Sequence, residues 1–142
     1  VEVDIPEDVD MDEVTWTVGS RHYFSDNVMG YASISTGVKS GAFNSTENPA
    51  VSIANQTLMV GPENVTNYEM GMKSNWFKNR LTLNSSLFYM DYEDLQVRTW
   101  CAECGAIGLG ILSNAASVTS QGIEIEMIAL PTPSLLVSAN MG

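Results

Sequence analysis

Several residue groups in this 142-residue chain have types and spacings that could do chemistry. Cys101 and Cys104 form a Cys-x-x-Cys pair inside Trp-Cys-Ala-Glu-Cys-Gly, which suits a redox site, half a zinc site or a small loop disulfide. A redox site wants a thioredoxin-like βαβ setting, which the flanking sequence lacks. Zinc wants a second ligand pair, and the single His22 lies far off in sequence. The loop disulfide is the favoured reading, and it implies an oxidising compartment. Glu124 and Glu126 are two carboxylates on alternate residues of one extended stretch, with no substrate cradle beside them to make a catalytic pair. The acidic run Glu2, Asp4, Glu7, Asp8, Asp10, Asp12 and Glu13 lacks the glycine turn of a calcium loop and reads as solvated. Gly105 to Gly110 lacks the Lys-Ser/Thr and helix of a phosphate cradle. His22, near the short-turn end of its strand, has no nucleophile and acid in a Ser-His-Asp pattern. No enzyme, cofactor or metal is expected.

The bulk properties exclude further classes. With 17 acidic against 6 basic residues and a net charge of −11, the chain has no basic stripe for phosphates, so nucleic acid is not a partner. Hydrophobic content of 44% and a mean hydropathy of +0.00 exclude disorder, and no apolar run is long enough for a transmembrane helix. A membrane is still open, because barrel strands carry an alternating signal that averages to nearly zero.

The elements that must position these residues are strands. Val14 to Phe24 sets Val14, Trp16 and Val18 against Thr15, Thr17, Gly19 and Arg21, and Ser25-Asp26-Asn27 turns the chain. Val28 to Lys39 sets Ala32, Ile34, Thr36 and Val38 against Tyr31, Ser33, Ser35, Gly37 and Lys39. A long loop from Ser40 to about Thr66 is rich in Gly, Asn, Ser, Thr and Pro. The clearest ribbon follows, from Asn67 to Gln96, folded at Phe77-Lys78-Asn79-Arg80. Its first strand alternates Tyr68, Met70, Met72, Ser74 and Trp76 with Glu69, Gly71, Lys73 and Asn75. Its second runs from Leu81 through Tyr92 towards Arg98. A second loop spans Trp100 to about Ser117. Val118 to Ala129 then alternates Gln121, Ile123, Ile125 and Met127 with Gly122, Glu124 and Glu126, Leu130-Pro131-Thr132-Pro133 turns the chain, and a sixth strand begins at Ser134.

Short corners therefore alternate with long loops. If neighbours pair antiparallel, all short corners fall at one end and all long loops at the other, the asymmetry of an outer-membrane barrel. Tyr68 and Trp76 share the apolar face eight residues apart, which at strand rise and tilt separates them by about 20 Å along a membrane normal, near the spacing of two aromatic girdles. A cation at mid-membrane on the lipid side costs about 2 to 4 kcal/mol, so Lys73 should face a lumen and take Glu69 with it. By the same parity Lys39, Glu124 and Glu126 are lumen-facing. The expected fold is all-β, a transmembrane antiparallel up-and-down barrel of which this chain supplies about six strands. The last residues, Leu136 to Gly142, stop inside an extended pattern, and the chain reads as an internal fragment.

Four stretches then resemble one family in its own order. Val28-Met29-Gly30-Tyr31-Ala32-Ser33-Ile34-Ser35-Thr36-Gly37-Val38-Lys39-Ser40-Gly41-Ala42-Phe43-Asn44 resembles a strand and loop start of TonB-dependent outer-membrane receptors. Pro62-Glu63 followed by Asn67-Tyr68-Glu69-Met70-Gly71-Met72-Lys73-Ser74, then Leu87-Phe88-Tyr89-Met90-Asp91-Tyr92-Glu93-Asp94-Leu95-Gln96, resemble two more of its segments. Asn114-Ala115-Ala116-Ser117 to Gln121-Gly122-Ile123-Glu124-Ile125-Glu126 is similar to a fourth. Gly37, Gly71 and Gly122 stand at small lumen-side positions where backbone or a plug can approach. The Cys101 and Cys104 pair is a departure from the family pattern.

The resemblance implies a barrel of twenty-two strands, plugged by an amino-terminal domain on which the TonB energy-coupling complex pulls. Residues 1–142 would be part of that single barrel domain, with the plug and the closing strands outside this chain. The implied function is active uptake of a scarce nutrient across the bacterial outer membrane, a ferric siderophore foremost, otherwise cobalamin, haem or a glycan. Its partners would be lipid, TonB through the plug, and a small ligand such as an iron chelate. Phe43, Asn44 and Trp100 are the candidates for ligand proximity, from loop position. A passive porin and a secreted β-sandwich adhesin are the alternatives, the latter suited by Asn-x-Ser/Thr sites at Asn44, Asn55, Asn64 and Asn84.

Overall fold

A computed structural model describes residues 12–43, 59–101, 109–114 and 117–142. The described residues hold ten strands and no helix: β1 (Thr17–Ser25), β2 (Val28–Lys39), β3 (Ala42–Phe43), β4 (Met59–Val60), β5 (Glu63–Trp76), β6 (Leu81–Glu93), β7 (Gln96–Cys101), β8 (Leu109–Asn114), β9 (Val118–Thr132) and β10 (Leu135–Met141). Six form one antiparallel sheet in the order β1-β2-β5-β6-β9-β10. The other four form two small hairpins, β3 with β4 and β7 with β8, each an excursion between adjacent strands of the main sheet.

The meander sorts its connections by length. Asp26–Asn27, Phe77–Arg80 and Pro133–Ser134 close the three tight turns at one end of the sheet, and both hairpin excursions rise from the other. Phe77, Lys78 and Asn79 adopt φ of 54, 59 and 65° in the second turn, a left-handed run that L-residues enter at a cost. Irregular registers near Tyr23/Ser25 and Leu135/Val137 flank the other two. Beside the first of these, the Phe24 ring lies over Gly30, where a Cβ would come within 2.9 Å of it.

Register fixes two faces. Lys73 stands opposite Met29 on β2 and Asn84 on β6, and Asn84 opposite Glu126 on β9. Arg21, Tyr31, Gly71, Ser86 and Glu124 form the adjacent row on this polar face. The other face carries Val18, Ile34, Tyr68 and Tyr89 in one row, Ala32, Met70, Leu87 and Ile123 in the next, then Met72, Ser85, Ile125 and Met141. Ile34, Tyr68, Met70, Leu87, Tyr89 and Ile123 are all exposed there, and Val60 is the one buried hydrophobic residue among those described. A β-sandwich would bury that apolar face under a second layer. This sheet is a single layer.

Several boundaries move relative to the sequence reading. β5 starts at Glu63 rather than Asn67, because Glu63 to Thr66 continue the ladder with Thr36 to Lys39. The strand expected to run towards Arg98 stops at Glu93: Asp94 takes a φ of 55° and breaks it, and Gln96 begins a new hairpin. Part of the expected loop after Trp100 is strand β8, paired from Leu109 to Asn114 with β7. The last turn falls at Pro133–Ser134, so Leu130 to Thr132 extend β9.

Candidate functional site

Chemistry-bearing side chains gather in two places, the middle of the polar face and the foot of the two hairpins. In the first, the Tyr31 hydroxyl donates to Glu69 Oε1 at 2.5 Å. The two residues are diagonal neighbours, Tyr31 facing Gly71 across the ladder, and a long ring reaches the diagonal position easily. Gly71 is what lets the ring lie flat: a Cβ there would come within 2.7 Å of the Tyr31 ring and 2.5 Å of the Ser85 carbonyl oxygen. Phe88 covers Gly122 in the same way at 2.8 Å, and Val65 covers Gly37 at 3.0 Å. Each of these three glycines, expected to let backbone or a plug approach, is covered by a side chain of a neighbouring strand, and at Gly71 the Ser85 backbone approaches as well.

Lys73 Nζ sits 5.8 Å from the Tyr31 ring centroid, at the outer limit of a cation–π contact. Asn84 Nδ2 donates to Glu126 Oε2 at 2.8 Å. Tyr31, Lys73, Asn84, Glu124, Glu126 and Asn140 line a shallow concavity of about 430 Å³. Asn67, on this face, keeps a buried Oδ1 without a hydrogen-bond partner among the described residues. The arrangement positions charge and hydrogen-bonding groups but offers no nucleophile with a base. No group of His, Cys, Asp and Glu among the described residues could hold a metal ion.

The second cluster joins the hairpins to the sheet. Lys39 pairs with Glu63 Oε2 at 3.5 Å, and the Gln96 backbone N–H donates to the same oxygen at 2.9 Å. Gln96 Nε2 donates to both Ser40 O and Gly61 O at 2.9 Å. Asn114 Oδ1 accepts from Gly61 N–H at 2.8 Å, while its Nδ2 donates to Gly61 O at 3.1 Å and to Asp94 O at 2.7 Å. Gln96 is 8% exposed, one of two buried polar residues among those described.

The expected site residues are thus divided. Glu69, Lys73, Glu124 and Glu126 share the polar face, and Lys39 shares its parity at the hairpin end. Phe43 and Trp100 are exposed on separate hairpins. Asn44 lies outside the described residues, as does Cys104, and with it the expected disulfide to Cys101. Sequence reasoning gave no role to Tyr31, Glu63, Gln96 or Asn114, although all four fall within the quoted motifs.

Comparison with known proteins defines the class. The profile described as TonB dependent receptor-like, beta-barrel matches residues 4–140. The chain belongs to the TonB-dependent receptor β-barrel family, whose members are outer-membrane proteins of Gram-negative bacteria and receptors rather than enzymes. Among solved structures it is similar to the ferric yersiniabactin uptake receptor FyuA from Yersinia pestis, with 19% identity and a TM-score of 0.62 over 88% of this chain and 18% of that one. It is also similar to the ferric-catecholate import receptor Fiu from E. coli K12, with 16% identity and a TM-score of 0.58 over 90% of this chain and 18% of the other. The alcaligin outer-membrane receptor FauA from Bordetella pertussis matches at 18% identity and 0.58, over 89% and 21%. The chain spans about a fifth of the length of these receptors.

Proposed function

We propose that this chain is a stretch of wall, with two external hairpins, from an outer-membrane receptor that takes up a scarce nutrient at the expense of TonB-transmitted energy. The observation that carries the reading is the six-strand meander with its three tight turns at one end, two hairpin excursions at the other and one continuous apolar face. In this reading the apolar face meets lipid. None of the six basic residues shares it: Arg21, Lys39 and Lys73 have the opposite parity, Lys78 and Arg80 lie in a tight turn, and Arg98 is on β7. Each cation moved to the apolar face at mid-membrane would cost about 2 to 4 kcal/mol.

The polar face then lines the lumen, where Lys39, Glu69, Lys73, Glu124 and Glu126 meet water or a basic partner, and where water supplies the Asn67 acceptor. Further strands close the barrel, and a plug domain that contacts TonB fills it. The ligand class is a ferric siderophore, supported by the similarity to a ferric yersiniabactin uptake receptor, a ferric-catecholate import receptor and an alcaligin receptor, with Phe43 and Trp100 on the two hairpins, and Asn44 next in sequence to Phe43, as the candidates for contact with it. No bond is made or broken in such a cycle. The test is uptake of radioiron-loaded siderophores by cells with and without the complete receptor. Receptor-dependent accumulation that stops on loss of TonB supports the reading, and uptake indifferent to TonB or to the receptor overturns it.

A further inference from the structure

Two carboxamide side chains, from residues 18 apart in sequence, converge on a single backbone carbonyl, that of Gly61. Asn114 answers both the N–H and the C=O of Gly61, as a paired strand would, and Gln96 bridges Gly61 to Ser40 on the other leg of the first hairpin. Nothing local demands these bonds, since their partners lie 35 to 56 residues apart. A strand ladder would have fused the hairpins; side chains hold them by a few bonds that one displacement can strain together. Desolvation reinforces the joint, because Gln96 is 8% exposed, and its withdrawal would take the donor from Ser40 O and leave Gly61 O to Asn114 alone.

We propose that Gln96 and Asn114 are positioning residues, a latch through Gly61 that makes the hairpins β3–β4 and β7–β8 one moving part, so that displacement of either is passed to the other. That this part faces a ligand rests on the reading above; the latch itself does not.

The test is amide hydrogen exchange on the complete receptor in detergent, which needs no ligand and so separates failure of the latch from failure of the transport reading. Asn114→Leu should speed exchange roughly five- to tenfold at residues 42–43 and 59–61 of the other hairpin as well as in its own, with β5 and β6 unchanged below the rim. Gln96→Leu should do the same in both hairpins, and the double variant should depart from the sum of the two singles, because only the double variant strips both donors from one oxygen. Asn114→Asp, of the same size, keeps the acceptor for Gly61 N–H and loses both donors, and it should loosen both hairpins to a lesser degree. Faster exchange confined to β7–β8 in Asn114→Leu and Asn114→Asp, or strictly additive effects of the two leucine substitutions, would overturn the latch.

Discussion

Tyr31 lies flat over Gly71 on the neighbouring strand and from there donates a hydrogen bond from its hydroxyl to Glu69 Oε1 at 2.5 Å. One side chain thus fills the gap a glycine leaves and satisfies a carboxylate on the same wall. Removing the hydroxyl alone, in Tyr31→Phe, should cost the receptor about 1.5 to 3 kcal/mol, the value of a bond to a charged acceptor, less what water returns to Glu69. Tyr31→Ala should cost more, because Gly71 is uncovered as well. Thermal unfolding of the receptor in detergent measures both, and equal losses would show that the ring contributes nothing.

Gly71 and Gly122 should differ in their tolerance of alanine. At Gly71 the added methyl meets a backbone oxygen at 2.5 Å as well as a ring, and backbone cannot swing away. At Gly122 it meets only the Phe88 ring, whose nearest carbon is 2.8 Å away and which can rotate. Gly71→Ala should therefore fail to reach the folded, heat-modifiable form seen on electrophoresis, whereas Gly122→Ala should reach it with a lowered melting temperature. The reverse order would contradict the cross-strand packing.

Much of the main sheet was legible because the membrane asks each strand for a strict alternation, and Met70, Met72, Glu69 and Lys73 obey it without exception. The hairpin strands were not legible within the loops, because short hairpins at a barrel mouth carry no alternation: Leu109 to Asn114 reads Leu-Gly-Ile-Leu-Ser-Asn, and its strand is set by pairing with β7 rather than by its own pattern. Asp94 was invisible as a breaker, since aspartate enters the left-handed region only when its neighbours require it. Gln96 and Asn114 were missed for a related reason. Their partners lie across the fold, at Ser40, Gly61 and Asp94, and no local spacing announces them.

The tight turn at Phe77–Arg80 stores backbone strain that a glycine would release. Lys78 has a φ of 59°, which costs an L-residue about 1 to 2 kcal/mol relative to glycine's freedom there. Lys78→Gly should leave stability unchanged or raise it by roughly 0.5 kcal/mol after glycine's entropy in the unfolded chain is deducted, while Lys78→Val should lower it. Unfolding in denaturant compares the two, and a destabilising glycine would mean the lysine side chain holds the turn.

On the apolar face, Trp76 Nε1 donates to Ser74 Oγ at 2.9 Å, and Ser74 Oγ donates onward to Leu83 O at 2.8 Å. In the proposed orientation, these two bonds would let the indole sit at a membrane interface with its N–H satisfied. Ser74→Ala and Trp76→Phe should each cost about 1 kcal/mol. Combined, they should cost clearly less than the sum, because each single change already breaks the shared bond. Additive losses would show that the two side chains act independently.

The orientation of the wall is the claim on which the rest depends. Single nitroxide labels at Glu69→Cys, Met70→Cys, Met72→Cys and Lys73→Cys, with Cys101 and Cys104 replaced by serine and the complete receptor in bilayers, report it through collisions with oxygen and with a water-soluble nickel complex. Labels at Met70 and Met72 should favour oxygen, and those at Glu69 and Lys73 should favour nickel or be shielded from both. Labels at Glu69 and Lys73 that favour oxygen, or four labels with one common accessibility, would contradict a barrel wall whose apolar face meets lipid.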